Sequence, residues 1–159
     1  MKAASISDIK NELGKLAPAK LAALCLQLAK YKKDNKELLS YLLFEAGDMP
    51  AYIQSVKDEM DEHFLTINSS HLYFAKKSLR KILRIAGKHI RYTVSKQAEA
   101  ELLIYFCRRM KDSGIRYATS TVLNNLYQSQ IKKINTAIAG FHEEEQYDYL
   151  KEIKQLEKG

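Results

Sequence analysis

Residues 72–94 read LYFAKKSLRKILRIAGKHIRYTV. At about 100° per residue, Leu72, Ala75, Leu79, Ile82, Leu83, Ala86 and Ile90 fall on one face of a helix. Lys76, Lys77, Arg80, Lys81, Arg84, Lys88 and Arg91 form a separate basic stripe beside that face. No Asp or Glu occurs between Glu62 and Glu99. The apolar face needs a hydrophobic neighbour, so the rest of the chain is read for helices that can supply one. The basic stripe attracts acidic matter, and what that matter is becomes the functional question.

The flanking segments repeat the helical pattern. Ser5 and Asp8 have capping-box spacing, and Ile9, Leu13 and Leu16 give an apolar edge to a helix over 8–16. Pro18 suits the first position of a second helix, with Leu21, Leu24, Cys25, Leu28 and Ala29 inward. Asp34 and Glu37 make another capping box before the run Leu38–Phe44, and Gly47 suits a left-handed stop. Asp48 caps a fourth helix, with Pro50 in its first turn and Tyr52, Ile53, Val56, Met60 and Phe64 as its stripe.

Asn68-Ser69-Ser70 is a turn ahead of the basic helix. Gly87 leaves two readings of that helix, an end near Ala86 or a run on to Val94, because a mid-helix glycine costs about 1 kcal/mol relative to alanine. Ser95 caps a helix over 96–111. Leu102, Leu103, Tyr105, Phe106, Cys107 and Met110 cover so much of its circumference that it reads as central. Gly114 ends it, and Thr119-Ser120-Thr121 opens a seventh helix that stops at Gly140. Glu143-Glu144-Glu145 suits the start of an eighth, over 142–158. Its apolar edge is only Tyr149, Ile153 and Leu156, which predicts loose packing.

No stretch alternates with period two, and the connections are short. The expected fold is therefore all-α: a single helical domain, 1–159, of seven to eight antiparallel helices stacked as hairpins in a bundle or short superhelix. The helices on Leu38–Phe44 and on 96–111 are expected to be its core. Glu37-Leu38-Leu39-Ser40-Tyr41 is echoed by Glu101-Leu102-Leu103-Ile104-Tyr105, as stacked hairpin units would have it.

A lysine-flanked leucine helix, the segment Tyr31-Lys32-Lys33-Asp34-Asn35-Lys36-Glu37 with Tyr41-Leu42, and a short acidic stop follow one another over Leu13–Asp48. This stretch resembles an uncharacterised family of small bacterial all-helical proteins. The resemblance implies an all-α fold and brings no activity with it.

Composition bounds the function. Apolar residues at 46% and charged residues at 28% are the balance of a soluble globular chain. The net charge is +7, and residues 63–98 alone carry eight Lys and Arg with no acidic residue. That asymmetry favours an acidic protein, a nucleic acid or an acidic membrane surface as partner. Cys25 and Cys107 each lie in an apolar run, so both are expected to be buried, reduced thiols of a cytoplasmic protein. The N-terminal MKAASISDIK lacks the apolar core of a signal peptide, and the run Leu21–Ala29 is far too short to span a membrane.

Chemistry finds no foothold in the motifs. Glu59 and His63 lie one helical turn apart near Asp58 and Glu62, but no second helix answers with ligands, so no metal is expected. His142 beside Glu143–Glu145 is the other such cluster, and neighbours in a helix point different ways. No HExxH, G-x-S-x-G or glycine-rich phosphate loop occurs, so neither cofactor nor catalysis is expected.

The basic face, Lys76, Lys77, Arg80, Lys81, Arg84, Lys88 and Arg91, is the positive signal. It predicts a non-catalytic protein that docks an acidic partner, protein or nucleic acid, without inserting into a membrane. Lys96, Arg108, Arg109 and Arg116 would extend the face, and Tyr73, Tyr92 and Tyr117 could stack on bases of a nucleic acid bound without sequence preference. Two alternatives compete. The acidic eighth helix or the Asp58–Glu62 face could pair with the stripe internally, or the protein could be structural and self-associate through an uncovered apolar helix face.

Overall fold

The computed structural model describes residues 1–158, and among them the regular elements are all helical. They are α1 (Ile6–Leu13), α2 (Pro18–Tyr31), α3 (Lys33–Ser40), α4 (Met49–Leu65), α5 (Leu72–Thr93), α6 (Lys96–Asp112), α7 (Thr121–Ile138) and α8 (Glu143–Glu157). A π-helical turn, Tyr41–Glu45, follows α3, and a 3-10 turn, Tyr117–Thr119, precedes α7. No helix among the described residues is long and apolar enough to cross a membrane. The chain groups into two compact units, Met1–Glu45 and Ala46–Gly159.

Local chemistry sets the ends of these helices. Ser5 Oγ accepts from the Asp8 amide at 3.2 Å while Asp8 accepts from the Ser5 amide at 3.3 Å. This reciprocal box makes Ser5 the N-cap and starts α1 at Ile6, two residues ahead of the expected start. Asp48, Ser95 and Ser120 cap α4, α6 and α7 through a single bond each, their side chains accepting from the amides of Ala51, Ala98 and Leu123. Gly114, at φ 76°, is the left-handed residue that turns the chain after α6. Two expected signals are not used. The N-cap of α3 is Lys32, with no side-chain cap, and Gly47 is not left-handed.

In the unit Ala46–Gly159, consecutive helices stack on one another around α6, which packs against α4, α5, α7 and α8. Each neighbour gives α6 its apolar stripe. From α4 come Tyr52, Ile53, Val56, Met60 and Phe64, all buried. From α5 come Ala75, Leu79, Ile82 and Ala86, all with no exposed area. The Phe106 ring of α6 lies 5.8 Å from that of Phe64. α5 passes through Gly87 without a break, because burial of the face on both sides outweighs one glycine's propensity cost. It ends at Val94, whose left-handed conformation (φ 50°) is unusual for a β-branched residue.

α8 is tied down rather than loose. Ile153 and Leu156 are buried, and Tyr127 Oη donates to the Leu156 carbonyl at 2.8 Å. Lys111 Nζ donates to the carbonyls of Gln155 at 2.9 Å and Leu156 at 3.1 Å, and to that of Lys158. These are orphan acceptors at a helix C-terminus, where a cation is most favourable.

The unit Met1–Glu45 is built differently. α2 and α3 form a hairpin whose turn is held by Asn35 Nδ2 donating to the Leu28 carbonyl at 2.8 Å. Neither α2 nor α3 buries a residue and Tyr41 is the one buried side chain of Leu38–Phe44, so the expectation that this helix is core does not hold. Leu38 and Leu39 are half-buried, and Leu42, Leu43 and Phe44 stand exposed on the π-helical turn. Helical periodicity marks which face is apolar; a face is buried only if enough elements converge on it, and this short unit does not supply them.

The cysteines divide along the same line. Cys107 on α6 is fully buried, and desolvation pushes its thiol up to about 12. Cys25 on α2 is exposed, which corrects the expectation that both are buried. Native protein treated with a thiol reagent should therefore label quickly at Cys25, and at Cys107 only after unfolding. Rapid uptake of a second equivalent by the native chain would show that α6 is not central.

Candidate functional site

The long helix α5 separates its two faces cleanly. Lys77, Arg80, Lys81, Arg84 and Arg91 are exposed, and Lys76 and Lys88 are half-buried. At about 100° per residue the group from Lys77 to Arg91 occupies an arc of roughly 100°, opposite the buried face. It runs about 21 Å along the axis at 1.5 Å per residue. Lys76 lies to one side of the arc, its Nζ 5.6 Å from the centre of the Tyr73 ring. Among the described residues, Lys77, Arg80, Lys81, Arg84 and Arg91 form no ion pair.

The acidic segments of the same unit are engaged elsewhere. α8 packs on α6 and α7, and its Glu152 pairs with Arg108 Nη2 at 2.7 Å. On α4, Asp61 accepts from Tyr105 Oη at 2.6 Å and Arg109 Nε at 2.8 Å. That carboxylate, together with burial, pushes the Tyr105 hydroxyl up to about 12, burial being the larger cause. Asp58 accepts from Gln54 at 2.8 Å. Neither acidic segment pairs with the exposed cations of the stripe.

These pairings also shorten the expected basic surface. Arg108 and Arg109 are taken by Glu152 and Asp61, and Lys96 pairs with Glu99 at 2.8 Å. Only Arg116 of the four expected extensions is exposed without an ion pair among the described residues. The tyrosines divide similarly. Tyr92 is buried, and Tyr117 stacks on Tyr127 with centroids 4.8 Å apart. Tyr73 is exposed at the head of the stripe, edge-on to Phe74. The face is thus the work of α5 alone, a row of cations with two exposed aromatics, Tyr73 and Phe74, at its end.

One arrangement escaped the sequence reading. Glu59 does not work with His63; its Oε2 lies 3.0 Å from His89 Nε2 on α5, and His89 Nδ1 lies 2.6 Å from Tyr52 Oη. With the proton on Nε2, His89 donates to Glu59 and accepts from Tyr52, so one ring bolts α4 to α5. Tyr52 and Glu59 are seven residues apart on one face of α4, which was the available signal; their partner on α5 was hidden among lysines and arginines. Among the described residues, no three His, Cys, Asp or Glu side chains converge as a metal set.

No family model, curated protein or solved structure matches this chain.

Proposed function

We propose that this protein is a non-catalytic docking protein whose α5 face, Lys77, Arg80, Lys81, Arg84, Lys88 and Arg91 with Lys76 at its edge, holds an extended acidic partner. The observation that carries this reading is the state of the five exposed cations. They form no ion pair among the described residues, while α8 packs on α6 and α7 and its Glu152 pairs with Arg108. Cations left along a straight line of about 21 Å suit a partner that repeats its negative charge, a nucleic-acid backbone or an acidic protein segment. The stripe offers little beyond charge, so sequence preference is not expected. Base readout needs side chains presented to base edges, and Tyr92 and Tyr117 are committed to packing.

The test is a salt titration of binding to a mixed-sequence single strand, a duplex and polyglutamate. At low salt at least one should bind, with log affinity falling linearly against log salt. Five phosphate contacts on a duplex predict a slope of about −4.5, and on a single strand about −3.5. Binding of polyglutamate alone would identify the partner as an acidic protein. Failure of all three at low salt would remove the reading.

A further inference from the structure

We propose that the unit Met1–Glu45 carries a second docking site, a groove on α2, α3 and the π-helical turn that receives an amphipathic helix with an acidic polar face. The groove is open to solvent and has a volume of about 630 Å³, within the range of sites that seat several side chains. Its apolar walls are Leu26, Leu39, Leu43 and Phe44. Leu26 is 57% exposed, Leu43 64% and Phe44 79%, so three of the four are more than half exposed. Contiguous exposed apolar surface of this kind marks an interaction site.

The occupant follows from the rim. Lys30, Lys32, Lys33 and Lys36 border the groove, and no carboxylate lines it. Lys33 is paired with Glu37 at 3.5 Å, whereas Lys30, Lys32 and Lys36 form no ion pair among the described residues. An apolar trough with a cationic border matches a helix that presents apolar anchors at i, i+3, i+4 and i+7 and carboxylates on its flanks. A second copy seated in the same groove about a two-fold axis would set this lysine rim against itself. A lipid surface is best met by a continuous helix face, and here the apolar residues line a concavity. The site is separate from the α5 face and does not depend on it.

The test uses the full-length chain and a fluorescent synthetic helix with leucine on one face and glutamate on the other. A second helix with lysine in place of glutamate is the control. The Leu/Glu helix should bind at least about tenfold more tightly than the Leu/Lys helix. Leu43→Ser with Phe44→Ser should weaken it at least about tenfold, and Lys32→Glu with Lys36→Glu should do the same. Polyglutamate, which has no apolar anchors, should bind the Leu43→Ser with Phe44→Ser variant as it binds the parent, which keeps this result distinct from the fate of the α5 reading. All the substituted residues are exposed, so circular dichroism of the variants should match the parent. Equal affinity for the two helices, or indifference to either pair of substitutions, would overturn the proposal. So would a dimer that Leu43→Ser and Phe44→Ser return to monomer, which would assign the groove to a second copy. Tighter binding to phosphatidylserine vesicles than to the helix, lost in the same variants, would assign it to a membrane.

Discussion

Phe106→Ala should lower the free energy of unfolding by about 3–5 kcal/mol, read as a drop in urea midpoint at constant slope. The ring has no exposed area and sits on α6, the helix that touches α4, α5, α7 and α8. Truncation therefore removes contacts at the centre of the stack and leaves a cavity that several helices would have to move to fill. Phe64 would lose its partner ring at 5.8 Å, and Arg109, 5.4 Å above the Phe64 ring, sits on the same cluster. The control is Val122→Ala on α7, where a side chain 47% exposed should cost under about 0.5 kcal/mol. A loss below about 1 kcal/mol for Phe106 would make α6 peripheral and undo the layer order.

The sequence made α6 legible for a definite reason. Apolar residues cover most of the circumference of its middle turns, and a helix whose polar positions are confined to a narrow strip such as Gln97, Glu101 and Arg108 packs best in the middle. The stripes of α4 and α5 were legible because spacing alone names the inward residues, and caps at Ser5, Asp48 and Ser95 sit in the sequence immediately before the helices they start. The Leu38–Phe44 segment was not legible, although its pattern is as apolar as that of α4. What distinguishes them is how many elements converge, and that is a property of the whole fold. The candidate site divides in the same way. The α5 arc follows from one helix's periodicity, but whether Arg108 and Arg109 are free depends on Glu152 and Asp61, 44 and 48 residues away. No local pattern records such a pairing. The Tyr52–His89–Glu59 chain was hidden for the same cause.

Arg80→Glu with Arg84→Glu should produce the largest change in binding that leaves the fold intact. Each phosphate contact on a duplex contributes about 0.9 to the slope of log affinity against log salt, so losing two should shallow it by about 1.8. At about 0.1 M salt that term alone weakens binding roughly 60-fold, and the two new carboxylates add repulsion from the same phosphates. Stability should stay within about 0.5 kcal/mol, because both arginines are exposed and neither holds an ion pair among the described residues. Leu79→Ala, one residue away, should do the reverse. Its side chain is fully buried, so it should cost about 2.7–5 kcal/mol while the folded fraction binds with an unchanged slope. The contrast between residues 79 and 80 is the decisive part, since it sets the apolar and basic faces of one helix turn against each other. If the double glutamate variant melted as far down as Leu79→Ala, the arginines would be holding the protein's own structure, and α5 would not be a docking face.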